Sequence, residues 1–469
     1  MYQVALALFC ISLFLSHKLF NSIRNYWPKR GVAYDKKSSL FGLSWDLLVG
    51  SRTLFELIHD LYNKFPDAPA VGTFSFFTPT LILKDPQNIE VVMTGDFNTF
   101  NDRGVDVDVR VDVLNDNVTF MNGIRWKLTR QTMTPLFTAA KLRNMYYIMD
   151  KSGRDFVDYV QSKLKEKAID LLSKFCSASI AASVFGIHTE GSTLDSPFLK
   201  MAQKAVQPSI GMTFRLSLVT LFRKLMSILR IRFLELCVEL QRKGTLRDAA
   251  TGYEIEPTDE IMAAQAFFFF IAGVKPSATA MFFALFELAK HPDILDKLHD
   301  EVDDLFERCN DNPTYEDVTS MKYLDMVLDE SMRIHPAVGS VQRRCTKNGG
   351  VLPVSKIHVE KGTFIHIPIH ALHRDRKYYP EPEKFVPERF SDEEKRNIVN
   401  YTYMPFGEGH RMCLGMRFAR LQVKTGLVHL LRHFTVETQN ARTKMKFGKL
   451  PVQVRPLNID VQFVPRSPR

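Results

Sequence analysis

The chain of 469 residues is 45% hydrophobic and 24% charged, an ordinary globular balance that argues against long disorder and against a multi-span membrane protein. Lys and Arg outnumber Asp and Glu by 62 to 52, and the net charge of +10 calls for an acidic partner, an anionic membrane surface or nucleic acid without choosing among them. Six cysteines, at 10, 176, 237, 309, 345 and 413, form no C-x-x-C, which argues against a zinc finger, a thioredoxin-type dithiol or a covalently attached c-type haem, and they are sparse for a disulfide scaffold.

The first element is apolar from Tyr2 to Leu15 apart from Gln3 and Ser12, with no charge before His17. A membrane-spanning helix needs roughly 17–25 residues, so this one sits at the short limit. No basic residues precede it, Ser16-His17-Lys18 makes a poor cleavage site, and Lys18, Arg24, Lys29 and Arg30 follow. That pattern predicts an uncleaved anchor over residues 1–20, a basic hinge over 21–34 and the rest of the chain on the cytoplasmic side. Short β-like stretches come next, near Ala70–Leu83, with a turn-like Phe77-Thr78-Pro79-Thr80 between them. Met212–Ile231 interleaves apolar residues with Arg215, Arg223, Lys224 and Arg230, and reads equally as a second membrane contact or a surface helix. Ile261–Lys290 is the longest helical candidate. Its uncharged run includes four consecutive Phe, and Lys275 and Pro276 cut it short of a span, so it reads as a buried central helix. Asp293–Cys309 carries an apolar stripe at helical spacing, β-like stretches recur near Lys356–His366 and after Phe434, and 36 Phe imply a large apolar interior or pocket. The expected fold is one mainly helical body with small β-sheets over residues 35–469.

Chemistry concentrates in Met404–Gly415, where Phe406, Gly407, Gly409, Arg411, Cys413 and Gly415 crowd one short loop before a helical stretch, Met416–Leu431. Glycines permit tight turns and close approach to a flat ligand. A cysteine before a helix feels a field that favours its anion, and N–H groups aimed at the sulfur would tune a bound metal. Arg411 can reach an acidic group on such a ligand, and Phe406 can pack beneath it.

The complete pattern F-x-x-G-x-R-x-C-x-G resembles the haem-binding signature of the cytochrome P-450 superfamily. The resemblance implies haem b with Cys413 as the axial thiolate, which pushes electron density to favour O–O cleavage. Three further motifs fall in the family's order. Glu330-Ser-Met-Arg333 resembles its E-x-x-R, Pro387-Glu-Arg389-Phe resembles the box whose arginine completes that charge network, and Trp126-x-x-x-Arg130 resembles the helix that contacts a haem propionate. Arg103 and Arg411 are further propionate partners on this reading. The likeness is strongest to membrane-anchored microsomal enzymes of insects related to the xenobiotic-metabolising branch, through Tyr26–Val32, Phe100–Gly104 and Phe286–Lys290.

Two departures stand out. Where the family's central helix usually carries an acid and an alcohol that relay protons during O–O cleavage, this chain has Lys275 and Pro276, and the proline removes an N–H and kinks the helix. Ser277 or Thr279 could order a water instead. Otherwise protons come from solvent or the substrate's own hydroxyl, or the chemistry is a rearrangement that needs no relay. The second departure is length. From Arg130 to Ala272 is 142 residues, short of the family's spacing by roughly 30–40, enough for one long helix and its loops. The shortage falls near Arg230–Phe233 and would remove a roof helix of the substrate cavity, through a trimmed lineage or, as the favoured reading, a shortened transcript or gene model.

The resemblance therefore implies a haem-thiolate monooxygenase of the endoplasmic reticulum membrane that inserts one oxygen atom of O2 into a lipophilic small molecule. It would draw electrons from NADPH through a flavoprotein reductase, with cytochrome b5 as a second donor. Lys127, Arg130, Arg417, Arg420 and Lys424 would form the docking surface, and Phe120, Phe267, Phe270, Ala272, Ala337 and Val338 the substrate pocket. Nucleic acid is dropped as a partner. The alternatives are a reductase-independent hydroperoxide isomerase or dehydratase, and a haem-binding form impaired in catalysis.

Overall fold

A computed structural model describes residues 2–35, 43, 46–47, 52–75, 77–105, 116–185, 246–247, 254–255, 258–347, 350–448 and 454–467. The Met212–Ile231 segment and the expected shortage near Arg230–Phe233 lie outside the described residues.

In chain order, helix α1 spans Tyr2–Tyr26 and leads through a short turn to strand β1, Ala33–Tyr34. Helix α2, Leu54–Lys64, starts on a capping box in which Thr53 and Glu56 satisfy each other's backbone N–H groups. Strands β2 (Ala70–Ser75) and β3 (Thr78–Leu83) form a hairpin. Thr78-Pro79-Thr80, read from sequence as part of a turn, belongs to β3, with Pro79 paired opposite Phe74. Proline is tolerated there because β3 pairs on its other side only from Thr80 onward, so no ladder needs the missing N–H.

Helices α3 (Gly123–Met133), α4 (Ala139–Ser162) and α5 (Ala168–Phe185) follow. Helix α6, Asp259–Lys290, is capped by Thr258 and continues past Pro276. Its Ala264–Lys290 portion is long and apolar enough to cross a membrane, yet 61% of its most apolar window is buried inside the protein, so it is the core helix expected. Helices α7 (Pro292–Arg308) and α8 (Lys322–Ile334) precede strands β4 (Val341–Arg344) and β5 (Phe364–Ile367). Helix α9, Met416–His433, runs into β6 (Phe434–Glu437), which pairs antiparallel with β7 (Gln462–Pro465).

The larger sheet runs β1-β2-β3-β5-β4. The main core lies among α4 to α9, around Phe282, Phe283 and Phe286 of α6. Close approach of α5 to α6 depends on Gly273, where a Cβ would come within 2.5 Å of the Ile180 side chain. The smaller core joins the sheet to Trp27, whose indole donates to the Thr73 carbonyl at 2.8 Å. Both cores border the loop before α9.

Candidate haem-thiolate site

The loop ahead of α9 is shaped by two glycines in the left-handed region, Gly407 at φ 73° and Gly409 at φ 70°. At Gly409 a Cβ would meet the Met93 carbonyl oxygen at 2.2 Å, so only glycine fits. The turn closes where the Cys413 N–H donates to the Phe406 carbonyl at 2.9 Å. Cys413 keeps exposed surface, yet surrounding chain crowds the thiol and the Arg103 and Arg130 guanidiniums act on its charge. Burial accordingly pushes its thiol up, while the Gly415 N–H and the Arg130 and Arg103 guanidiniums act against that rise and favour the anion. Phe406 is half-buried and packs against the main core.

Around this thiol the fold gathers an excess of buried positive charge. Arg103 donates to the Arg411 carbonyl at 3.3 Å and Arg130 to the Met412 carbonyl at 2.7 Å. Arg411 donates to the Met121 carbonyl at 3.0 Å and Asn122 Oδ1 at 3.2 Å, and its guanidinium carbon lies 4.3 Å from the centre of the Trp126 ring. Burial and the repulsion of Arg103 and Arg343 drop the Arg411 pKa to about 8. Burial and Arg103 bring Arg343 down to about 9, and burial and Arg130 bring Arg103 down to about 10. Asp102 favours the charge on Arg411 but is itself engaged by Arg344, whose Nε donates to it at 3.2 Å. Arg411 Nε and Arg343 Nε are buried without a hydrogen-bond partner.

Cations buried in this number are costly unless an anionic group joins them. An exposed thiol beside a cluster of buried guanidiniums fits haem: Cys413 would hold its iron, and Arg103, Arg130, Arg343 and Arg411 would answer its acidic groups. Arg343 was not singled out from the sequence. The available signal was strand alternation, which turns Arg343 inward (2% exposed) and Arg344 toward Asp102.

The expected charge network is assembled. Arg333 Nε and Nη2 donate to the two oxygens of Glu330 at 2.7 and 2.8 Å, with both side chains fully buried. Arg333 also reaches the His373 carbonyl at 2.8 Å, and the Val386 N–H donates to Glu330 at 2.9 Å. Arg389 stands 3.4 Å from Glu330 and donates to the Pro380 carbonyl at 2.6 Å.

Elsewhere the site residues divide. Phe120 lies edge-on to Phe268 with centroids 5.9 Å apart. Phe267 is half-buried, and Phe270 is buried in the main core. Of the four consecutive phenylalanines of α6, the one packed against the Trp126 cluster, with Leu414 and Phe97, is Phe269. Ala272 is exposed, and Ala337 and Val338 are half-buried, with the Ala337 carbonyl accepting the Val454 N–H at 3.1 Å. Ser277 and Thr279 are both buried. At 3.6 residues per turn, Thr279 returns to within about 20° of the Ala272 face, while Ser277 points about 140° away.

The docking surface loses three members, the first being Arg130, which is half-buried and turned to the Met412 carbonyl. Lys424 is 3% exposed and donates to the Thr319 and Met321 carbonyls and to Asp325 at 2.9 Å. Arg420 is ion-paired with Asp329. Both look like surface cations in sequence, but α9 presents them to acidic residues of α8. Lys127 and Arg417 remain exposed.

A glycine-shaped cysteine loop, a buried E-x-x-R pair and a cluster of buried arginines within a mainly helical fold are the features of a haem-thiolate oxidoreductase. The chain belongs to the cytochrome P450 family, whose model matches residues 39–463, and it is a P450 monooxygenase. It is 34% identical to cytochrome P450 6j1 of Blattella germanica over 458 positions, covering 91% of this chain and 89% of that one. It is 34% identical to cytochrome P450 6B1 of Papilio polyxenes over 472 positions, covering 92% and 93%. Against cytochrome P450 6B7 of Helicoverpa armigera the identity is 31% over 500 positions, with 98% of each chain covered.

Proposed function

We propose that this chain oxidises lipophilic small molecules, xenobiotic or endogenous, with electrons passed from NADPH through a flavoprotein reductase and with cytochrome b5 as an accessory donor. The observation that carries the reading is the exposed Cys413 thiol beside Arg103 and Arg130, with Arg343 and Arg411 joined to the same cluster of buried cations. Bound haem supplies the iron at which dioxygen is activated and one oxygen atom is passed to the substrate. The chain's own residues hold that group by its acidic edge, orient the sulfur and wall off water with Phe120, Phe267 and Phe269. Phe270 supports this wall from the core side.

Proton delivery falls to the Ala272 face of α6. Pro276 has no N–H to close on the Ala272 carbonyl, so that oxygen is left to accept from a water. Thr279 lies on the same face and takes the role of second partner; Ser277, turned away, does not. Lys275 stands in place of the acid. Burial and the nearby Arg455 bring its pKa down to about 8, so it releases a proton far more readily than an ordinary lysine.

Support for membrane attachment comes from α1, where Leu6, Phe9, Ile11, Leu13, Phe14 and Leu15 are all exposed. Residues 1–20 would anchor the protein in the endoplasmic reticulum, 21–34 form the hinge, and 35–469 make one catalytic domain on the cytoplasmic face. Lys127 and Arg417 supply the exposed cations for an acidic reductase.

The test is the reduced, CO-bound spectrum of the expressed protein, followed by turnover of lipophilic probes. We expect the Soret band of thiolate ligation, then product only with NADPH and reductase present. Absence of haem uptake overturns the reading. The substitution of Lys275 and Pro276 favours one rival, a rearrangement of hydroperoxides that needs no relay; turnover of a fatty-acid hydroperoxide without NADPH would establish it instead.

A further inference from the structure

Helix α8 carries two consecutive buried carboxylates, Asp329 and Glu330, at 2% and 0% exposure. Neighbouring helical residues point about 100° apart, so the two serve different partners. Glu330 answers Arg333 and Arg389. Asp329 turns toward the thiolate loop and α9. Its Oδ1 pairs with the Arg420 guanidinium and accepts the Tyr403 hydroxyl at 2.9 Å, while Lys395 stands 3.5 Å from Oδ2.

From Asp329 the contacts run directly to the ligand loop. The Arg420 guanidinium carbon lies 5.6 Å from the centre of the Phe406 ring, within cation–π range. Phe406 supplies the carbonyl that accepts the Cys413 N–H at 2.9 Å. Tyr403, three residues earlier, stacks on His373 with centroids 5.2 Å apart, and His373 Nε2 accepts the Met404 N–H at 2.9 Å. One carboxylate thus holds the segment entering the loop through Tyr403 and the ring inside it through Arg420.

We propose that Arg420 is a positioning residue for the thiolate. Held by Asp329, it clamps the Phe406 ring and so sets the carbonyl on which the Cys413 backbone hangs. Its contacts are with Asp329, Asp325 and the Phe406 ring. If Phe406 is freed to shift, the Cys413 backbone loses its anchor and the sulfur its fixed place ahead of α9. The inference rests on the haem-thiolate reading above and adds to it a residue outside the ten-residue motif.

The experiment uses the full-length protein loaded with haem and the variants Arg420→Met, Arg420→Lys and Asp329→Asn. The readout is the rate at which the reduced, CO-bound form passes from the thiolate-type Soret band to the blue-shifted band of a protonated ligand. Global unfolding in denaturant is followed in parallel. Arg420→Met and Asp329→Asn should each speed the conversion about threefold or more, in denaturant well below the unfolding midpoint. Arg420→Lys should recover part of the loss, because charge remains but the planar face does not. The double variant Arg420→Met with Asp329→Asn should be little worse than either alone, since the pair acts as one unit.

Conversion at the wild-type rate in both single variants overturns the proposal, as does a change that merely tracks global stability. Where Arg420→Met fails to fold, Asp329→Asn and Arg420→Lys decide by the same criteria. A wild-type chain without the thiolate band sinks the haem-thiolate reading and this inference together, a result distinct from unchanged variants of a wild type that has it.

Discussion

Arg343 makes the cost of a buried charge measurable. It is 2% exposed, its Nε has no hydrogen-bond partner, and burial together with Arg103 brings its pKa down to about 9. Such a group weakens the bare protein and is justified only by the anion it meets. Replacing it by Met should therefore leave the haem-free protein as stable or more stable in denaturant. Haem should leave about tenfold faster to an apoglobin acceptor, as expected for the loss of one charge-assisted hydrogen bond. Faster haem loss together with a less stable haem-free protein would mean that Arg343 serves the fold and not the ligand. Cys413, Arg411, Glu330 and Arg333 were legible because their chemistry sits at fixed short spacings. Arg343 was not, since its inward turn is a property of a strand. Arg420 and Lys424 were misread for the opposite reason: Asp329 lies 91 residues from Arg420 and Asp325 lies 99 from Lys424, and spacing of that order carries no local pattern.

At the scale of elements, long helices with one apolar stripe or one uncharged run were readable to within a few residues, as Asp293–Cys309 against α7 and Ile261–Lys290 against α6 show. What holds those helices to one another was less readable. Glu287 on α6 accepts from His335, just past α8, at 2.8 Å, and from Lys290 at 2.8 and 3.1 Å, with His291 3.8 Å away. Burial alone would raise its carboxyl, but His335 and Lys290 overcome that and hold it down to about 2. A depressed carboxyl contributes stability that is full above its unfolded value, 4.5, and is lost as pH falls toward 2. Burial keeps His335 below its ordinary 6.5, so its protonation in the unfolded chain adds a loss of the same sign below that pH. Glu287→Gln should cost about 3 kcal/mol at neutral pH, the worth of that shift. Denaturant midpoints measured across pH should then show the gap between wild type and variant closing below pH 4.5. A gap that stays constant down to pH 3 would mean that the carboxylate's charge does not tie α6 to the segment after α8.

For the whole molecule, length is the feature that the fold leaves sharpest. The alignment with the Helicoverpa armigera relative covers 98% of both chains yet runs over 500 positions, more than the 469 residues available here. The ends are matched on both sides, so the relative's extra positions fall inside the alignment. The spacings from Ala272 to Glu330 and from Glu330 to Cys413, 58 and 83 residues, look normal for the family, and every ligand-side motif is intact. The stretch between Arg130 and Ala272 is the one whose spacing falls short of the family's, and in it a basic, apolar segment ending at Ile231 runs straight into Phe233-Leu-Glu-Leu. A domain that keeps its haem-holding half complete while losing part of its cavity roof would bind haem but leave its substrate side open to water. We therefore expect cDNA read across codons 225–240 to include a longer form carrying an extra segment at this junction. Expressed beside the present chain, that form should give the same thiolate-type CO spectrum but tighter binding of lipophilic probes, because the added roof excludes water from the substrate side. If most clones run directly from Ile231 through Phe233, the short chain is the native one and the longer form is not made.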